Sequence, residues 1–168
     1  GSFAREFLGN THYGGGGTLD RYDKTRAYYK TMDFFVDWKD RRARVFAELH
    51  DKWLHSSIWW PHHFRNDVTA AMVDGRRYLV TQQLLINPMR RAGFVYLVDE
   101  KKRCMRLVAG AGMCTAGDFF RSPEWTERLE GKQLSQIKFM WSDFNGDEIP
   151  QTDEVKLTDI SGYSHQVG

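Results

Sequence analysis

Twelve consecutive residues, Asp143 to Glu154, carry oxygen ligands at the intervals with which a loop wraps a hard cation. Calcium takes six to eight oxygens, and an EF-type loop gives them from positions 1, 3, 5, 7, 9 and 12, the seventh through its backbone carbonyl. Those positions here are Asp143, Asn145, Asp147, Ile149, Gln151 and Glu154. Asp143, Asn145 and Asp147 would supply side-chain oxygens, Ile149 its carbonyl, and Glu154 both carboxylate oxygens. The sixth position, where a glycine usually makes the sharp turn, is Glu148, and the glycine stands two residues earlier at Gly146. Clustered Asp, Asn and Gly also make ordinary turns, because their side chains bond their own backbone. The spacing and the terminal acid predict Ca2+ as the cofactor, with a structural role: an ion between two strands shapes a long turn and cancels carboxylate repulsion.

A second group is Trp59, Trp60, His62 and His63, in a stretch broken by Pro61. Indole faces stack on sugars or bases and imidazoles hydrogen-bond or ligate metal, so these are ligand-binding candidates; the alternative is a loop whose tryptophans anchor it to a sheet. Arg26, Arg65, Arg76 and Arg77 could clamp an anion, although Arg76 and Arg77 also suit the solvated flank of a hairpin turn. His12, His50, His55 and His165 are scattered, no GxSxG elbow marks a nucleophile, and Gly14 to Gly17 fits no phosphate-cradling motif. Cys104 and Cys114 match neither a CxxC pair nor a zinc set; they read as reduced buried thiols, or in an exported protein as a small-loop disulfide.

The 168 residues, 41% hydrophobic, suffice for one domain with a real core. The division expected is a loop-rich segment over residues 1–31 and an antiparallel β domain over 32–168. With 24 basic and 22 acidic residues there is no single-sign field, which argues against nucleic acid or a membrane surface as partner. No apolar run reaches the roughly 20 residues of a membrane span, and the first residues show no signal-peptide pattern; Gly1 and Ser2 read as a processed or appended start. Six Trp, seven Tyr and eleven Phe favour sheet.

The elements follow from alternation. Phe34, Val36 and Trp38, then Val45, Ala47 and Leu49, make a hairpin. Val68 to Thr81 folds back at Asp74-Gly75, a dipeptide suited to the primed turns that match strand twist. Phe94 to Val98 and Cys104 to Ala109 flank a charged tip, Ser122-Pro123 opens a short helix to Leu129, and Ile137 to Trp141 and Val155 to Leu157 lead into and out of the acidic loop. The segment from Thr18 to Tyr29 alternates too weakly to assign.

Two hairpins in series give a four-stranded unit about one propeller blade long. The chain resembles β-propellers whose blades carry a DxNxD calcium loop, as in FG-GAP repeats of integrin-like exported proteins, through the words Asp74 to Thr81, Phe94 to Asp99 and Trp141 to Asp147. The resemblance spans about residues 32–160 and departs where those loops usually place an acid at the ninth position, here Gln151. It implies an all-β fold: a segment of a larger propeller, or a smaller domain closed by association with another chain.

The expected function is a calcium-binding, propeller-like interaction module, extracellular or periplasmic, where millimolar calcium fills weak sites. The alternative is a carbohydrate-active hydrolase or lyase domain with the Trp59–His63 loop lining its cleft and a histidine, or a carboxylate such as Asp33, Asp37 or Asp67, as acid or base. Carbohydrate or another protein chain is the partner expected.

Overall fold

A computed structural model describes residues 18–29, 32–49, 68–84 and 91–160. The strands are β1 (Thr18–Leu19), β2 (Arg26–Tyr29), β3 (Met32–Asp37), β4 (Arg42–Leu49), β5 (Thr69–Val73), β6 (Arg76–Leu84), β7 (Arg91–Asp99), β8 (Cys104–Met113), β9 (Ile137–Ser142) and β10 (Val155–Asp159). Among the described residues a short α-helix, α1 (Pro123–Arg128), has Pro123 in its first turn, where the missing N–H costs nothing. The protein is all-β with a short helix, as the alternation predicts, and its sheet curls nearly into a closed, barrel-like shape.

Antiparallel meanders β1–β4 and β5–β8 form the framework. On its free edge β8 meets β4 at its start, in parallel, through Glu48–Cys104 and Leu49–Met105, and then β9 antiparallel from Ala109–Ser142 to Met113–Lys138. Strand β10 pairs with β9 around the acidic loop. The sheet therefore does not respect a boundary at residue 31: the unassigned stretch 18–29 forms β1 and β2, and β2 pairs with β3 throughout. Gly14 to Gly17 lie outside the described residues.

The Asp74-Gly75 turn forms as its sequence requires, with both residues at positive φ (48° and 72°) between the paired Val73 and Arg76. The β3–β4 and β7–β8 hairpins share a different design. Each ends its first strand on an aspartate whose Oδ1 accepts two tip amides, those of Lys39 and Asp40 on Asp37 and those of Lys101 and Lys102 on Asp99. Each then turns through an arginine at positive φ, Arg41 (52°) and Arg103 (53°). Each carries a bulge at the same place, with Phe46 unpaired between Ala47 and Val45 and Val108 unpaired between Ala109 and Leu107. Six residue types coincide in this register: Val36 and Val98, Asp37 and Asp99, Lys39 and Lys101, Arg41 and Arg103, Arg44 and Arg106, Ala47 and Ala109. The match extends outward, since Thr18 faces Tyr28 in one meander as Thr69 faces Val80 in the other.

The main core lies on the inner faces of β6–β9, where Leu79, Phe94, Tyr96, Leu107, Phe139 and Trp141 are buried and Trp125 of α1 packs edge-on against Phe120. Burying such a side chain contributes roughly 1.5–3 kcal/mol. The β1–β4 meander is held differently. Arg26 pairs through its guanidinium with fully buried Asp33 and lies 3.8 Å from the Phe46 ring centroid. Asp20, also fully buried, accepts from the Tyr28 hydroxyl and from the amides of Tyr22 and Asp23. Arg77 of β6 contacts Asp20 (3.0 Å), just after β1, and Glu100 (2.9 Å) in the β7–β8 tip, tying the two meanders together. Arg77 is thus no solvated flank of a turn: its side chain is 10% exposed and works as a cross-sheet tie. Burial pushes the Asp33 carboxyl upward while Arg26 pulls it back, and it pushes the Tyr28 phenol well above its ordinary range.

Candidate metal centre

The acidic loop leaves β9 at Ser142 and returns into β10 at Val155. Its entry is fixed by the β8 bulge, because the Asp143 amide donates to the Val108 carbonyl (2.9 Å). Its exit is fixed by Glu154, whose Oε2 accepts the Trp141 indole N–H (3.0 Å) and whose Oε1 accepts the amides of Phe144 (2.8 Å) and Asn145 (3.3 Å). Glu154 is 6% exposed, so these bonds replace the water it has lost.

Three carboxylates converge: Asp143, Asp147 and Glu154 each offer an oxygen, and these lie within 4.8 Å of one another. Asp143 Oδ1 accepts the amides of Gly146 (2.9 Å) and Glu148 (3.2 Å). Its Oδ2 has no hydrogen-bond partner, although the side chain is 1% exposed. Asp147 Oδ1 accepts the Ile149 amide (2.7 Å) and Oδ2 the Gln151 side-chain amide (2.6 Å). That bond leaves Gln151 Oε1 buried without a partner. Two acceptor oxygens without donors beside clustered acids are what a cation would satisfy.

Of the remaining expected ligands, Asn145 and Gln151 are each bonded to Asp147. Asn145 Oδ1 accepts the Asp147 amide (2.8 Å) on the exposed side of the loop. Ile149 has an exposed side chain, consistent with a residue chosen for its backbone rather than its packing.

The sixth position does what its residue type resists. Glu148 adopts φ 66° and Gly146 φ 80°, so the turn survives without glycine at the sixth place. A left-handed non-glycine residue costs roughly 1–2 kcal/mol. Glu148 is 2% exposed, and its carboxylate pairs with Arg106 Nε of β8 (3.2 Å), which offsets that cost. Arg106 Nη2 also donates to the Gly146 carbonyl (2.7 Å) and stands 3.7 Å from Asp143 Oδ2. Sequence reasoning missed Arg106, whose role depends on the β8–β9 register; its only mark in the sequence is its equivalence to Arg44 in the repeated hairpin.

The other candidates are not brought to this site. Trp59, Trp60, His62 and His63 lie outside the described residues, as do His12, His50, His55, His165, Arg65 and Asp67. Asp33 is held by Arg26 and Asp37 caps its turn, so neither is free for acid–base work. Cys104 opens strand β8 and Cys114 follows its last residue, so the two free thiols are separated by the whole extended strand, roughly 30 Å, which excludes the small-loop disulfide. Burial pushes the Cys114 thiol up to about 12.

Comparison of the chain with protein-family models, curated proteins and solved structures returns no match. Among the described residues, no helix is long and apolar enough to cross a membrane.

Proposed function

We propose that this chain is a calcium-stabilised, non-catalytic β module of an exported protein, which binds a partner through the surface its acidic loop shapes. The observation that carries the reading is Asp143 Oδ2, a buried acceptor without a hydrogen bond beside the carboxylates of Asp147 and Glu154. An ion at about 2.3–2.6 Å from each ligand spans oxygens as far apart as these. The donor set is oxygen throughout, which suits calcium or magnesium rather than zinc or copper. An irregular loop with a carboxylate at its twelfth position favours calcium, because magnesium demands near-octahedral geometry and sheds water reluctantly.

Asp143, Asp147 and Glu154 would hold the ion, with Asn145, Gln151 and the Ile149 carbonyl completing the set. The ion would neutralise clustered charge and lock the β9–β10 connection. The carbohydrate-active reading gains no support from the described residues, since its tryptophans lie outside them and Asp33 is engaged by Arg26.

Thermal unfolding with calcium and with excess chelator tests the proposal. Calcium at 100 times its dissociation constant stabilises a folded-state site by about 2.7 kcal/mol. The midpoint should rise with calcium, and Asp143→Asn with Asp147→Asn should hold it at the chelator value; equal midpoints for the wild type in both buffers would reduce the loop to a polar turn.

A further inference from the structure

We propose that Arg106 is a built-in competitor for the metal, and that it sets the affinity of the acidic loop for divalent cations. The inference rests on the calcium reading above. Its starting point is the position of the guanidinium: Nε on Glu148 Oε1 at 3.2 Å, Nη2 on the Gly146 carbonyl at 2.7 Å, and the same Nη2 at 3.7 Å from Asp143 Oδ2. Arg106 is held at the first ligand of the loop without bonding the oxygen that the metal would take.

A cation on Asp143 Oδ2 would sit within about 6 Å of the guanidinium, where a divalent ion and a unit charge repel even in a water-like dielectric by enough to change affinity about tenfold. The guanidinium is also the loop's substitute counter-charge. It faces Asp143 and Glu148 directly, and the group that contains Asp143 also holds Asp147 and Glu154. Without metal, Arg106 limits the mutual repulsion of these acids and keeps Glu148 paired in its left-handed turn. With metal, the two cations share Asp143, and each weakens the hold of the other. The loop is therefore preshaped but of moderated affinity, suited to high ambient calcium.

The β3–β4 hairpin supplies an internal control. Arg44 occupies the position of Arg106 in the repeated register, yet it is exposed and lies over the Phe35 ring (5.1 Å to the centroid).

Calcium titration by calorimetry on the wild type, Arg106→Met, Arg106→Lys and Arg44→Met tests the inference, each first shown to be folded by its thermal transition. Arg106→Met should bind calcium about tenfold more tightly, while Arg106→Lys and Arg44→Met stay near the wild type. Tightening separates competition from support, because loss of a merely structural residue weakens binding. If Arg106→Met does not fold, Arg106→Met with Glu148→Gln removes both partners of that ion pair and should bind more tightly than Glu148→Gln alone. Unchanged or weaker binding by the Arg106-to-Met protein, or by that double variant, overturns the inference and leaves the calcium reading standing. Failure of every protein to bind calcium overturns both. Binding by Arg106→Met alone would support competition while overturning calcium occupancy of the native loop.

Discussion

The β3–β4 and β7–β8 hairpins have the same tip, the same bulge and the same arginine, and they do different work. In the first, the bulge residue Phe46 offers its ring to Arg26, and Arg44 lies exposed over Phe35. In the second, the bulge residue Val108 offers its carbonyl to Asp143, and Arg106 turns onto Gly146 and Glu148. The scaffold is alike in both; what differs is the neighbour along β8. Only β8 has β9 on its free edge beyond the bulge, and β9 delivers the acidic loop to the bulge and the arginine. A repeated hairpin thus becomes a candidate metal centre through the strand laid beside it, not through a change in its own fold.

The largest break in this comparison should come from the first hairpin. Arg26→Met leaves Asp33 buried without its cation, and breaking such a pair costs about 3–5 kcal/mol. Tyr78, in register with Arg26 in the second meander, should tolerate Tyr78→Phe with a change within about 0.5 kcal/mol by denaturant unfolding. Next in size, Glu154→Ala strips acceptors from the Trp141 indole and the amides of Phe144 and Asn145, so stability in chelator should fall by about 1–3 kcal/mol. A drop seen only with calcium would show that these bonds do not hold the metal-free loop.

Arg106→Met should lower metal-free stability by about 1–2 kcal/mol, below the range for fully buried pairs because the side chain is 26% exposed. Arg44→Met should change it by less than about 0.5 kcal/mol. Equal effects of the two would erase the distinction between the hairpins. Asp37→Ala and Asp99→Ala each remove two tip hydrogen bonds and should lower the melting midpoint by similar small amounts. The smallest expected signal is chemical: at pH 8 native Cys114 should resist alkylation and Cys104 should react first, since burial raises both thiols and Cys114 is the more enclosed. Rapid labelling of Cys114 would mean that its end of β8 opens.

Much of this architecture was legible in the chain. The Asp74-Gly75 turn, the helix opening at Ser122-Pro123 and the strands around the acidic loop follow from local rules that leave few alternatives. The convergence of Asp143, Asp147 and Glu154 matches positions 1, 5 and 12 of an EF-type loop, with Glu154 returned to the group where β10 pairs with β9. The repeated hairpin was also legible, in Val36, Asp37, Lys39 and Arg41 against Val98, Asp99, Lys101 and Arg103, but only by aligning the chain with itself. Three features were not. Strands β1 and β2 are too short to show an apolar period, and one of the two inward positions of β2 is Arg26, a charge buried against Asp33 of β3. Arg77 reads as a turn residue until Asp20 is placed against it. Arg106 reads as one more surface arginine until the β8–β9 register places it beside Glu148.

Calorimetric titration of calcium into the metal-free wild type and into Asp143→Asn tests the central claim most directly. The account predicts saturable binding of one ion by the wild type and its loss in the variant, with both proteins folded. No binding by the wild type, or equal binding by the two, would contradict it.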